Sequence, residues 1–219
     1  MRVSIFKNLV SAEPQETSLG QIFHIIKTSE KLREITEKAR SFASSGDKES
    51  LKKIKKTKFP AFAPAAVLLG GKGREDLMTL TGLCFLDIDH LSEEQMAKVE
   101  QFLREDKHVL MLSHSVSGHG LHILVRYYLK HDDFFQIVLT PKRINVIYGS
   151  VFKSLAKHYK GLLNVPIDKS GMNAERLCLV SYDAGIYVNY SPEPFVLKFE
   201  PQQSGHYPKL FEFLSESRV

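Results

Sequence analysis

Residues 82–91, GLCFLDIDHL, constrain the fold more than any other stretch of this 219-residue chain. Phe85, Leu86 and Ile88 are strand formers in an apolar run, which reads as a buried strand. Asp87 and Asp89 stand inside that run, and an unpaired buried charge is costly. Side chains alternate across a strand. Leu83, Phe85, Asp87 and Asp89 therefore share one face, and Cys84, Leu86, Ile88 and His90 share the other. One face turns from apolar to acidic at the strand's end, with the two carboxylates about 7 Å apart along the backbone. Like charges that close raise each other's proton affinity unless a cation neutralises them. A hard ion such as Mg2+ binds through one or two carboxylates plus substrate phosphates. The plain alternative is two strand-end aspartates that face water or start a turn.

The periodicity around this strand predicts a mixed architecture. Residues 3–10 read as a first strand. Leu19, Ile22, Phe23 and Ile26, then Leu32, Ile35, Ala39 and Phe42, follow helical spacing, with a break at Ser29 and a terminator at Gly46. Residues 65–69 and 80–88 read as strands, and GGKGRED between them as a mobile loop. No GxxxxGK[ST] runs through that loop, which excludes a Walker P-loop. Ser92 and Gln95 form a capping box, with Leu91 and Met96 as its staple. Strands are expected over 108–113 and 121–128. A helix should open at Thr140-Pro141 and end at Gly161. A further pair of strands is expected at 176–181 and 186–190, with regular structure ending at Ser191-Pro192-Glu193-Pro194. This order lacks strict βαβα alternation. It predicts an α+β fold of mixed, largely antiparallel sheets with packed helices.

Composition narrows the class. No apolar run approaches the length of a membrane span, and the N-terminus is a poor signal peptide. Cys84 and Cys178 lie in strand-like contexts and read as small buried hydrophobes in a reducing compartment, so a cytoplasmic location is expected. Two cysteines exclude a four-cysteine zinc knuckle. The net charge of +5 is modest, but KESLKKIKKTKF places Lys48, Lys52, Lys53, Lys55, Lys56 and Lys58 together. That segment is either a solvated helix face or a phosphate-contacting patch.

Two more stretches carry candidate chemistry. In SHSVSGHGLHILV, Ser115, Ser117, Gly118 and Gly120 precede a strand with His122 near its start. Glycines allow close backbone approach, successive amides can form an anion nest, and His122 can donate to a phosphate oxygen. In NVPIDKSGMNAERLCLVSYD, Asp168 is a third acid and Arg176 a phosphate or carboxylate partner. Taken singly, each also reads as an ordinary turn. Taken together, three carboxylates can hold two metal ions, the apparatus that activates a hydroxyl and stabilises a leaving pyrophosphate.

At these residues the chain resembles the archaeo-eukaryotic primase superfamily of primase-polymerases. The motifs are LDID at 86–89, SGHGLH at 117–122 and Ile167-Asp168. KFPAF, TGLCFLDIDHL, SHSVSGHGLHILV and ERLCLVSYD look most like the primase-like N-terminal domain of virulence-associated protein E-like proteins of mobile elements, over roughly residues 55–190. The resemblance implies a primase-polymerase-like (RRM-like) catalytic core at about 58–190 beside a smaller αβ unit. Within a domain of 1–200, the helical N-terminal part covers about 18–57. Residues 201–219 form a tail leading toward a further C-terminal region, for which a helicase-like ATPase is expected. By the same resemblance, Asp87, Asp89 and Asp168 are catalytic residues and ligands of a two-ion Mg2+ or Mn2+ site. Ser117, Gly118, Gly120 and His122 bind the nucleotide, with Arg176 and Lys58 as further phosphate contacts. The implied partners are nucleoside triphosphates and a single-stranded DNA template, with no membrane. The cysteine/histidine zinc stem of replicative primases is missing from this sequence.

Two other functions fit parts of the pattern. An inactive nucleic-acid-binding module would use the lysine segment alone. A replication-initiator nuclease would need an H-x-H metal pair and a nucleophilic tyrosine, but His119 and His122 are three residues apart, which strand alternation places on opposite faces.

Overall fold

The computed structural model describes residues 1–130 and 139–198. The expected tail at 201–219 lies outside the described residues. The first elements are β1 (Arg2–Phe6), β2 (Gln15–Ser18), α1 (Leu19–Thr28), α2 (Glu30–Ser44) and α3 (Lys48–Thr57). Next come β3 (Ala61–Ala63), β4 (Ala66–Leu68), β5 (Leu77–Leu80), β6 (Leu83–Ile88), α4 (Glu93–Glu105), β7 (Val109–His114) and β8 (Leu121–Lys130). The chain continues with α5 (Pro141–Leu163), β9 (Cys178–Leu179), β10 (Tyr187–Val188) and β11 (Phe195–Lys198). The fold is mixed α+β with largely antiparallel sheets, as expected. Among the described residues no helix is long and apolar enough to cross a membrane.

Local chemistry explains the helix ends. Ser29 closes α1 with its amide and caps α2 with its side chain, so one residue makes the expected break. The Ser92–Gln95 capping box opens α4, and Leu91 and Met96 are both buried beside it. Thr140 caps α5, with Pro141 in its first turn. Gly161 does not end α5, contrary to expectation. A single interior glycine costs only about 1 kcal/mol, and the helix runs on to Asn164, whose left-handed φ of 52° closes it.

β2, β1, β3 and β9 form one antiparallel sheet in that order. In the second sheet β8 is central. It pairs antiparallel with β7 and with β6, β7 pairs with β10, and the later half of β8 carries β11 in parallel. Neither β5 nor β11 is expected from the sequence, and the ladder to β8 is what makes a strand of the residues after the prolines. β9 and β10 do not pair with each other either. β9 joins β3, and β10 joins β7.

All six residues of β6 are buried, because both of its faces are covered. Cys84, Leu86 and Ile88 pack with residues of α4 and α5, whereas Leu83 and Phe85 pack with α1, α3 and β3. Burial of each large apolar side chain here contributes about 1.5–3 kcal/mol. Among the described residues β6 pairs with β8 along one edge only, so its other edge needs hydrogen-bond partners from elsewhere. The Phe85 amide donates to the Tyr148 hydroxyl of α5 at 3.2 Å, and the Asp168 amide donates to the Asp87 carbonyl at 2.8 Å. The open edge of β6 thus draws the segment around Asp168 to the acidic end of the strand.

Candidate metal and phosphate site

The three sequence-selected aspartates meet. Asp87, Asp89 and Asp168 offer carboxylate oxygens that all lie within 4.8 Å of one another, an arrangement able to hold a divalent cation. Asp87 is 9% exposed, and its Oδ1 is buried without a hydrogen-bond partner among the described residues. Burial first, then the charges of Asp89 and Asp168, push the Asp87 carboxyl up to about 7, against the pull of Arg176 and Lys55. A lone buried oxygen among three acids fits a cation. Asp168 differs. Burial would raise its carboxyl, but hydrogen bonds from the Ser170 amide and hydroxyl, with Arg176, hold it below the usual carboxylate range.

His122 faces Asp87 across the β6–β8 ladder. Its Nε2 lies 3.8 Å from Asp87 Oδ1, and its Nδ1 lies 3.4 Å from the Cys178 thiol. Burial, then Lys55 and Arg176, hold the imidazole down to about 4, so it is neutral at neutral pH and the contact with Asp87 is not an ion pair. Phe85 fixes the ring edge-on at 5.6 Å.

A cleft of about 540 Å³ opens over Asp87, Asp89 and His122. Lys48, Lys52, Lys55 and Lys56 of α3 form one wall, and Arg176 stands in the same cleft. This wall follows helical spacing, and Ile54 is the buried residue that anchors the helix. A second chamber adjoins the cleft at Asp89, Lys48, Leu51 and Lys55 and is also lined by Ser117 and His119.

The other sequence-selected residues are placed as follows. Gly120 packs against the end of β6, where an added Cβ would lie 2.5 Å from the Ile88 carbonyl oxygen. Gly118 has a left-handed φ of +81° and faces Arg40, bordering a cavity shared with Glu100 and His114 rather than the cleft. Lys58 follows the Ile54 row at i+4 spacing and lines a groove between α2 and α3, away from the aspartates. Arg176 precedes the strand it was expected to begin, since β9 opens at Cys178. The GGKGRED loop is tied down, with the Lys72 ammonium donating to the Leu9 and Ser11 carbonyls at 2.6 and 3.0 Å. His119 lies in the loop before β8 and lines other cavities than His122, so the two do not form a metal pair.

Sequence reasoning missed Cys178 as the His122 partner. Cys178 stands with Arg176 in the cleft wall, and its contact with His122 carries no local sequence signal. It also missed the His114 cluster. His114 Nδ1 is 2.9 Å from Asp183 Oδ2 and its Nε2 is 2.7 Å from Glu100 Oε1, linking β7 to α4 and to the turn after β9. The Asp183 hydrogen bond raises the His114 pKa. Asp183 is itself held low, mainly by His114 against the effect of burial. A raised histidine stabilises the fold fully below its ordinary value near 6.5 and loses that contribution as pH rises through the raised value. The lowered Asp183 acts oppositely and loses its contribution as pH falls below about 4. Thermal melts across pH should therefore show a shoulder above pH 6.5 that His114→Gln flattens, worth about 1 kcal/mol. An unchanged alkaline limb in the variant would refute it.

Fold and site define a class: an α+β protein whose antiparallel sheet ends in a three-carboxylate group beneath a lysine-lined helix. Residues 54–188, more than half of the chain, match the family described as BT4734-like, N-terminal domain, and the chain belongs to that family. No curated protein and no solved structure matches it. The matched stretch contains all three aspartates, the Ser/Gly loop, His122 and Arg176.

Proposed function

We propose that this chain carries out metal-dependent nucleotidyl transfer, a primase-polymerase reaction that uses nucleoside triphosphates on a single-stranded DNA template. The observation that supports it most is the meeting of Asp87, Asp89 and Asp168 beneath cationic side chains. On this reading the sheet of β6, β7, β8 and β10 is the RRM-like catalytic core, and β1–β3 with α1–α3 form the smaller αβ unit. A two-ion Mg2+ or Mn2+ centre, when bound, would supply hydroxyl activation and charge neutralisation at the transferred phosphorus.

The chain's own groups do the remaining work. Asp87, Asp89 and Asp168 would hold the ions, and the buried Asp87 is oriented by its place in the ladder. Lys52, Lys55 and Arg176 neutralise phosphate oxygens, while Ser117 and the amide-rich loop border the adjoining chamber. The Cys178 thiol, kept protonated by burial, lies 3.4 Å from His122 Nδ1, and donating there would leave the imidazole proton on Nε2. An Nε2–H in that tautomer would face Asp87 and could donate to a phosphate oxygen. Most of the catalysis is positioning and preorganised charge. On this reading the activity serves replication of a mobile element, with a helicase-like ATPase as the expected partner.

The test is primer synthesis and extension on a single-stranded template with Mg2+ or Mn2+, comparing wild type with Asp87→Ala/Asp89→Ala. Wild type should incorporate nucleotide, and the double variant should not. An inactive wild type, or equal rates in the two, would sink the reading. DNA binding that is salt-dependent but indifferent to metal and nucleotide would point to a binding module instead.

A further inference from the structure

Helix α3 presents lysines on two sides, and only one side serves the aspartate cleft. Its other side, with Lys53, Ile54 and Lys58, closes a groove of about 530 Å³ against α2. Ile35, Phe42 and Ile54 make the groove's apolar floor, and Lys31 and Lys38 stand on its far rim. A neighbouring groove shares Lys31, Ile35, Thr57 and Lys58 and adds Lys7. Five lysines thus stand along this track against a single acid, Glu34, and none of the five forms an ion pair among the described residues.

The charge is not spread over the molecule. Residues 1–58 contain thirteen Lys and Arg against seven Asp and Glu, a surplus of six in a chain whose total is +5. The track also leads to the candidate site. Phe42 lines both the α2–α3 groove and the chamber that contains Asp89, Ser117 and His119. A ligand lying along the groove therefore passes Phe42 and arrives at the carboxylates.

We infer that the α2–α3 groove is the track for single-stranded nucleic acid entering the site. A row of cations above an apolar floor with one partly exposed aromatic ring fits a flexible phosphate chain whose bases stack or lie on the floor. Lys38 stands 6.0 Å from the centre of the Phe42 ring, so rim and floor act on the same stretch of ligand. The continuity with the aspartate cleft favours nucleic acid over an acidic peptide, which would have no reason to lead there. The inference rests on the nucleotidyl-transfer reading for its direction of travel, though the binding itself can be measured separately.

The test uses the full chain, a fluorescein-labelled 20-nucleotide oligo-dT and salt from 50 to 200 mM. Lys31→Ser/Lys53→Ser/Lys58→Ser changes exposed side chains that lie outside the aspartate cleft. It should weaken oligonucleotide binding about tenfold at 100 mM salt and reduce the log–log salt slope by about two, from some 0.7 per lost phosphate contact. Phe42→Leu keeps apolar bulk and removes the ring. It should cost about fivefold in affinity with the slope unchanged. Binding of Mn2+ with nucleotide should be the same in the triple lysine variant as in wild type. Wild-type affinity and slope in both variants would overturn the inference. So would a glutamate-rich peptide that binds the groove as tightly as the oligonucleotide and is lost in the triple variant. A wild type that ignores Mn2+ and nucleotide yet shows the groove-dependent DNA binding supports the track and overturns the catalytic reading alone.

Discussion

Asp87→Ala/Asp89→Ala should lose roughly a thousandfold or more in nucleotide incorporation, yet fold at least as well as wild type without metal. The first half follows from removing two of the three carboxylates whose oxygens lie within 4.8 Å of one another. The second half follows from Asp87 Oδ1, which is buried next to two other acids with no hydrogen-bond partner among the described residues. An uncompensated buried charge destabilises a fold, so its removal relieves the apo protein even though a small cavity opens. Added Mn2+ should then discriminate sharply. At a concentration 100 times its Kd, a metal that binds only the folded wild type raises stability by about 2.7 kcal/mol, and the double variant should show no such rise. Melting curves with and without Mn2+, run beside the primer-extension assay, separate loss of the site from loss of the fold. A double variant that melts well below the metal-free wild type would contradict this account of Asp87.

Gly120→Ala should destabilise the protein by about 2–3 kcal/mol and weaken nucleotide binding as well. Its added methyl group would lie 2.5 Å from the Ile88 carbonyl oxygen, 3.0 Å from Asp89 Oδ1 and 3.2 Å from Ser115 Oγ. The closest of these atoms is backbone, which cannot swing away as a flexible side chain would. Either the end of β6 or the start of β8 must shift, and both carry groups of the candidate site. The strain arises from close approach rather than backbone conformation, so the larger Gly120→Val should be worse. Gly118→Asn provides the contrast. Gly118 has a left-handed φ of +81° and borders Arg40, and asparagine tolerates that conformation better than most residues. Urea melts of the three variants should rank Gly118→Asn as the mildest and Gly120→Val as the most severe. Equal stability of Gly120→Ala and wild type would refute the close-packing argument.

The features that were legible in the sequence are those decided within a few residues. The Ser29 break and the Ser92–Gln95 box depend on side chains that satisfy amides two or three positions away. The shared face of Asp87 and Asp89 depends only on strand alternation. The lysine segment was visible as a segment, but not the division that sends Lys48, Lys52, Lys55 and Lys56 to the cleft and Lys53 and Lys58 to the groove. That division depends on how Ile54 docks α3 into the core. Gly161 failed as a helix terminator because the packing of α5 through Val151, Leu155 and Tyr159 outweighs one glycine. β11 was missed because its strand character comes from pairing with β8, more than sixty residues earlier in the chain.

The sequence by itself determined that an apolar strand ends in two same-face carboxylates, that a Ser/Gly loop precedes a histidine-bearing strand, and that positive charge gathers before residue 59. Only the tertiary structure decided that these parts meet. The open edge of β6 leaves the Asp87 carbonyl in need of a donor, and the Asp168 amide supplies it, which carries the third acid into place. The antiparallel register sets His122 opposite Asp87, and burial makes that histidine neutral and the aspartate reluctant to ionise. Hydrogen bonds between distant segments and the low dielectric of a packed interior turned three ordinary sequence patterns into one candidate site.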